Sequence, residues 1–166
     1  MKQNRENPFF ETYRTPFGTP PFDQIETEQY EPAFDEGIRQ LDEEVRAIAD
    51  NTELPTFENT IIALERSGKL LDKVISAFFN VLNAEADDEM MDISQRVSPK
   101  LSESSNNIYL NEQLFARVKS VYDRKDELHL PMEDARLLEK TFEAFAHVAP
   151  HSDPKRKKNT VNSVPS

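Results

Sequence analysis

The 166-residue sequence has no cysteine, so it can form neither a disulfide bond nor a thiolate nucleophile. It has no apolar run near the roughly 20 residues that a membrane-spanning helix needs, and its N-terminus lacks the apolar core of a secretory signal. Only 3 glycines are available for tight turns, and no alternating apolar and polar pattern predicts a strand. These absences favour an all-α protein of the cytoplasm.

Basic residues are fewer than acidic ones: 20 Lys and Arg stand against 31 Asp and Glu, which gives a formal net charge of -11. Nucleic acids and anionic membrane surfaces both favour basic protein faces, so the charge argues against either partner. The length is sufficient for one domain with its own core. With 37% hydrophobic residues and a mean hydropathy of -0.71, that core is predicted to be thin and rich in helix.

Residues 1–26 are rich in proline and phenylalanine. Prolines at this density exclude a regular helix, and the aromatic rings favour contact with an apolar surface. We therefore predict an extended arm that lies across an apolar groove; the alternative is a disordered tail, although disorder usually accompanies few aromatics. The residues concerned are Pro8, Phe9, Phe10, Pro16, Phe17, Pro20, Pro21 and Phe22.

Residues 27–146 are predicted to form a helical domain. Its organising stretch is 56–86, one long helix or two helices in series, because apolar residues recur there at helical spacing. We interpret Ser67 and Gly68 as a bend or a close-packing point rather than as the end of a helix, since the apolar pattern resumes in phase at Leu71. A preceding helix over 27–51 is expected to pack against this stretch as an antiparallel hairpin. Further helices are predicted over 87–108, with a kink or a restart at Pro99, over 111–128, and from Pro131 to Phe145.

Residues 147–166 are predicted to be an irregular tail. They contain the basic run 155–158, which is either a localisation or docking signal or part of an unstructured end without a role.

No catalytic, cofactor-binding or metal-binding residue is predicted in this sequence. His147 and His151 have a spacing that suits a metal pair on a helix, but Pro150 lies between them and no glutamate does. The third histidine, His129, is isolated in sequence. Acidic pairs such as Asp87 and Asp88 are typical of solvated helix faces, and no nucleophile elbow or glycine-rich phosphate loop is present.

Four stretches nevertheless carry a family resemblance when they are taken in order and at these separations. They resemble the N-terminal region of the zinc metallopeptidases of the thimet oligopeptidase family, in particular the bacterial peptidyl-dipeptidase and oligopeptidase A types. The stretches are PFGTPPFDQIETEQYEPAFDEGI (16–38), PTFENTIIALERSGKLLDKV (55–74), VSPKLSESSNNIYLNEQLFARVKSVYD (97–123) and ARLLEKTFEAF (135–145).

The resemblance implies a function for a longer protein. Family members hydrolyse short peptides with one zinc ion, held by a His-Glu-x-x-His helix and a further glutamate several hundred residues downstream. Their N-terminal helices form part of a neurolysin-like all-helical shell around a deep channel. No position of this sequence matches a zinc ligand or the general base, so no cofactor is expected in this chain and zinc is expected only in the full-length family member.

Three functions follow from these observations. The first is an N-terminal peptidase fragment, inactive alone, whose partner is the missing catalytic domain or another copy bound through exposed apolar faces. The second is a free-standing helical module that binds a protein or peptide, and the third is an enzyme in its own right, for which the sequence offers no site. Codons can be chosen for residues 158–166 that, when read in a neighbouring frame, encode a plausible piece of the family's next helix. We therefore interpret the tail as the frameshifted end of a truncated open reading frame.

Overall fold

The computed structural model describes residues 7–85 and 87–148, which form seven α-helices and no strand, so the all-α prediction is confirmed. A π-helical turn, Phe57–Ile62, leads directly into the second helix. The helices are α1 (Tyr30–Ala49), α2 (Ala63–Arg66), α3 (Lys69–Ala84), α4 (Asp88–Tyr109), α5 (Glu112–Asp123), α6 (Lys125–Leu128) and α7 (Met132–Val148).

Four single 3-10 turns precede α1, at Pro8–Phe10, Pro16–Gly18, Phe22–Gln24 and Thr27–Gln29. The predicted first helix therefore begins three residues late, because the last of these turns, closed by a capping box between Glu26 and Gln29, occupies its expected start. Residues 1–6 of the predicted arm lie outside the described residues. So do residues 149–166 of the predicted tail, including His151 and the basic run.

Helices α1 and α3 form the predicted antiparallel hairpin. The ring of Phe34 meets that of Phe78 with 5.2 Å between centroids, near the start of α1 and late in α3. Farther along α1, Gly37 faces the backbone of Leu71, and Glu44 accepts a hydrogen bond of 2.7 Å from the backbone N–H of Gly68. Residues farther along α1 therefore contact residues nearer the start of α3, as in an antiparallel pair.

The interpretation of Ser67 and Gly68 as a bend without a stop is wrong. Ser67 has an extended backbone and Gly68 a left-handed one with φ of 76°, so α2 ends at Arg66 and α3 begins anew. The alternative of two helices in series is correct. Close packing is also present, since a Cβ added to Gly68 would stand 3.1 Å from a methyl carbon of Leu41.

Helix α4 runs parallel to α1 and continues through Pro99 without a restart. Three polar contacts follow the two helices in the same direction: Arg96 to Glu31 at 3.1 Å, Lys100 to Asp35 at 2.7 Å, and the Ser104 hydroxyl to Asp42 at 3.1 Å. The two ion pairs are largely exposed, so each contributes little to stability, and they serve chiefly to set the register of the helices.

Two hydrophobic clusters share α1. The first contains residues of its N-terminal half, such as Phe34, together with Phe9 of the arm and residues of α3 and α4. The second contains residues of its C-terminal half, such as Val45, together with the turn before α2 and residues of α5 and α7. In the second cluster, aromatic rings of α5 and α7 stack on each other, with 3.9 Å between the ring centroids of Tyr122 and Phe142. Within the described ranges, no helix is long and apolar enough to cross a membrane.

Candidate functional site

The histidines do not form a site in the described part of the chain. His129 ends α6 in a left-handed conformation and is exposed, and His147 is exposed in the last turn of α7. Among residues 7–85 and 87–148, no three histidine or acidic side chains come together as potential metal ligands.

Residues 56–59, within the resembling stretch 55–74, cap a helix start. The side chain of Thr56 accepts a hydrogen bond from the backbone N–H of Asn59, and the Asn59 side chain accepts one from the backbone N–H of Thr56 at 2.7 Å. Asn59 also donates to the carbonyl of Leu54 at 3.0 Å, while Phe57 is buried. These residues fix the loop that joins α1 to the rest of the hairpin.

The same loop is held from the other side by Arg117 of α5, a buried guanidinium. Its Nη1 donates to the carbonyls of Asn51 and Glu53 at 2.7 and 2.9 Å, and its Nη2 donates to Asn59 Oδ1 at 3.1 Å and Thr60 Oγ1 at 3.4 Å. None of these acceptors is a carboxylate, and Nε has no partner in the described structure. A buried charge requires such hydrogen bonds, so Arg117 ties α5 to the loop as a structural clamp.

Sequence reasoning missed Arg117, although a signal for it exists. Leu114, Val118 and Val121 form the buried face of α5, and Arg117 lies on that face three residues after Leu114. Arg124, one turn beyond Val121, donates a further hydrogen bond to the loop at the carbonyl of Pro55.

The arm is joined to the body at Lys73 of α3. The Lys73 ammonium donates to the carbonyls of Phe9 and Glu11 at 3.3 and 3.2 Å, and it lies 3.9 Å above the ring of Tyr13. Burial lowers the pKa of Lys73. The pKa of Tyr13 is raised, mainly by burial and to a smaller extent by electrostatic repulsion from the neighbouring Tyr30. Phe9 itself is 1% exposed and packs against Tyr30, so this part of the arm is docked as predicted.

An open groove of about 790 Å³ lies between the arm and the hairpin. Its only carboxylate from α1, Glu36, is hydrogen-bonded by Arg39 and Gln40, which lowers the pKa of Glu36 to about 2. A carboxylate of so low a pKa is a poor general base. Its lining includes Phe10, Tyr13, Gly18, Gln40, Leu70 and Lys73.

Beside this groove the arm makes a tight turn at Phe17. The backbone N–H of Gly18 donates to the carbonyl of Thr15 at 3.1 Å, which makes Phe17 the third residue of the turn. The hydroxyl of Thr19 donates to the Pro16 carbonyl at 3.1 Å, and the hydroxyl of Thr15 donates to the Thr19 carbonyl. Phe17 has φ of 61° and a fully exposed ring. The prediction that the arm lies on an apolar groove therefore holds for Phe9 but not for this residue.

No protein-family model matches the chain. A dipeptidyl carboxypeptidase from Escherichia coli (strain K12) is 45% identical over 139 residues, which are 84% of this chain. A dipeptidyl carboxypeptidase from Salmonella typhimurium (strain LT2) is 41% identical over 139 residues, again 84% of this chain. In both cases the match covers 20% of the relative, so the chain spans about a fifth of the length of these curated relatives.

Proposed function

We propose that this chain, which belongs to the thimet oligopeptidase family, is the N-terminal part of a peptidase and acts as its helical scaffold rather than as its catalytic centre. The observation that carries the proposal is the 45% identity over 84% of this chain to a dipeptidyl carboxypeptidase of which the match covers 20%. By that relative's name, the complete enzyme would remove dipeptides from the carboxyl ends of short peptides.

The residues that the structure describes offer no set of ligands for a catalytic zinc ion. Zinc in a peptidase is held by three protein ligands, usually histidine and glutamate, and the described residues bring no such set together. Residues outside the described part would have to hold the ion and the water that attacks the peptide. The proposal therefore assigns no chemical step to this chain.

The local structure of the resembling stretch 55–74 supports a scaffold role. Thr56 and Asn59 cap a helix start, Asn59 also accepts a hydrogen bond from Arg117, and Gly68 restarts the chain as α3 against Leu41. Each of these residues has a structural use, so none needs a role in catalysis to account for its presence.

We further propose that the partner of this chain is the catalytic portion of the peptidase, which would cover apolar side chains that are exposed here. An isolated chain with these residues uncovered is expected to self-associate and to bind an apolar dye. Location in the cytoplasm, and the absence of nucleic-acid and membrane partners, stay predictions. The large exposed apolar residues are Phe10, Phe17, Phe22, Leu54, Met91, Leu110, Met132 and Val148.

A chimeric enzyme tests the proposed function. The 139 aligned residues of this chain replace their counterparts in the E. coli dipeptidyl carboxypeptidase, and the release of dipeptides from a short peptide is measured. We expect activity comparable to that of the parent, while a matched deletion of the same segment should be inactive. A folded chimera that releases no dipeptide would contradict the proposal.

The free-standing module makes the opposite prediction for the isolated chain. A stable monomer that melts cooperatively and binds no apolar dye would favour that alternative, because it would show that the chain needs no covering domain.

A further inference from the structure

The turn at Phe17 is an energetically costly way to place an aromatic ring. Phe17 is the third residue of the turn 15–18 and has a positive φ there, which glycine or asparagine adopts readily. A bulky residue held there costs of the order of 1–3 kcal/mol, and such outliers cluster at functional contacts. Phe17 has φ of 61°, whereas the residue after it is Gly18, with φ of 64°.

The ring of Phe17 gains no burial within this chain that would offset that cost. Its exposed fraction is 103%, against 1% for Phe9, which packs into the first hydrophobic cluster from the same arm. Burial of a phenylalanine side chain is worth about 1.5–3 kcal/mol, and in this chain Phe17 gains none of it.

The turn is nevertheless held in a defined shape and place. Two threonine hydroxyls, those of Thr15 and Thr19, close it onto its own carbonyls. The arm that carries it is docked by Phe9 and by the three contacts of Lys73. A rigid, exposed aromatic residue is typical of an interface hot spot, because little conformational entropy is lost when it binds.

We propose that Phe17 inserts into an apolar pocket of the catalytic portion of the peptidase and so fixes the N-terminal scaffold to it; this inference rests on the proposed function. The occupant is that portion of the polypeptide because the relatives carry about four-fifths of their length beyond the matched segment. Phe17 also lies within 16–38, one of the stretches that resemble the family. Approach to the turn is unobstructed, since a Cβ added to Gly18 would meet no atom within 4 Å.

The first test uses the 166-residue chain alone and two substitutions that suit a positive φ, Phe17→Asn and Phe17→Gly. Because they remove strain and no internal contact, neither should lower the melting temperature, and Phe17→Asn should raise it by about 2–4 °C. A lowered melting temperature in both variants would show that the ring has a partner within this chain and would overturn the proposal. Phe9→Asn, which empties a buried site, is the positive control and should lower the melting temperature.

The second test compares the isolated chain with the chimeric enzyme by chymotrypsin cleavage after Phe17, followed by mass spectrometry. Cleavage should be at least about tenfold slower in the chimera if the catalytic portion covers the ring. Equal rates in an active chimera would overturn the docking proposal and leave the proposed function intact. An inactive chimera in which Phe17 is protected would contradict the proposed function and support the docking.

Substitutions in the chimera complete the design. Phe17→Asn should lower its thermal stability although it does not destabilise the isolated chain, and Phe17→Trp should retain most of the stability. Gln113→Asn, at an exposed polar residue outside the arm, is the control and should change neither protein. If Phe17→Asn instead only dissolves a dimer of the isolated chain, the occupant is a second copy and the proposal fails.

Discussion

Gly37 of α1 lies so close to Leu71 of α3 that a Cβ built on the glycine would stand 2.9 Å from the Cα of Leu71. The backbone nitrogen of Leu71 would be 3.1 Å away. Real Cβ atoms do not approach backbone atoms so closely, and a backbone cannot rotate aside as a side chain can. The two helices therefore meet at a distance that leaves no room for a side chain at position 37.

Gly37→Ala should destabilise the chain by about 1–2 kcal/mol. Overpacking against backbone costs about 1–3 kcal/mol, and the higher helix propensity of alanine offsets up to about 1 kcal/mol of it. Urea unfolding followed by circular dichroism measures the change. Glu43→Ala, on the exposed face of the same helix, is the control and should stay within about 0.5 kcal/mol of the parent. A stabilised Gly37→Ala variant would show that α3 can move away.

Arg117→Lys should destabilise the chain by about 2–4 kcal/mol. Lysine keeps the charge but cannot reach the carbonyls of Asn51 and Glu53 together with Asn59, so buried polar groups lose their partners. Urea unfolding tests this, with Arg136→Lys at an exposed position of α7 as the matched control. If the two variants unfolded at the same urea concentration, Arg117 would not act as a clamp.

Lys73→Met should loosen the arm while leaving the helices folded. The substitution keeps the length of the side chain but removes the hydrogen bonds to the carbonyls of Phe9 and Glu11 and the contact with Tyr13. We expect faster chymotrypsin cleavage after Phe10 and Tyr13 at an unchanged helical circular dichroism signal. Lys69→Met, an exposed lysine one turn earlier on α3, should leave the cleavage rate as it is.

Glu36 should make the stability of the chain depend on pH in the acid range. Hydrogen bonds from Arg39 and Gln40 lower its pKa from 4.5 to about 2 in the folded chain. Its stabilising contribution is therefore present above pH 4.5 and is lost as the pH falls toward 2, since the unfolded chain binds the proton first. The effect should be small and should weaken with salt, because the side chains are partly exposed.

NMR titration of the glutamate carboxyl groups tests this assignment directly. Glu36 should titrate well below 4.5, and Arg39→Met should move its titration midpoint toward 4.5. A Glu36 midpoint near 4.5 in the parent chain would contradict the prediction.

The apolar periodicity of the sequence predicted the helices and the hairpin, but it could not locate the break at Gly68. Leu71 resumes the apolar pattern in phase, and a period reports which side a residue faces rather than whether the chain between is helical. The break depends on a left-handed glycine packed against Leu41, a tertiary contact with no counterpart in the spacing.

The candidate site was harder to predict for two physical reasons. Charged residues are usually solvated, so Arg117 gave no signal beyond its place among apolar neighbours, and its four acceptors come from a loop 57 to 66 residues earlier. In the arm no period distinguishes Phe9 from Phe17. Which phenylalanine is buried depends on the turns between them.

The position of α1 in both hydrophobic clusters also sets an order of events during synthesis. Its N-terminal half finds all its described partners in the first cluster once the chain has been made as far as Leu101. Its C-terminal half must wait for Phe145, the last residue of the second cluster. Because chains fold from the N-terminus as they emerge, the ribosome presents a half-buried α1 for roughly 44 residues of elongation, from Leu101 to Phe145, during which its later contacts are open to chaperones.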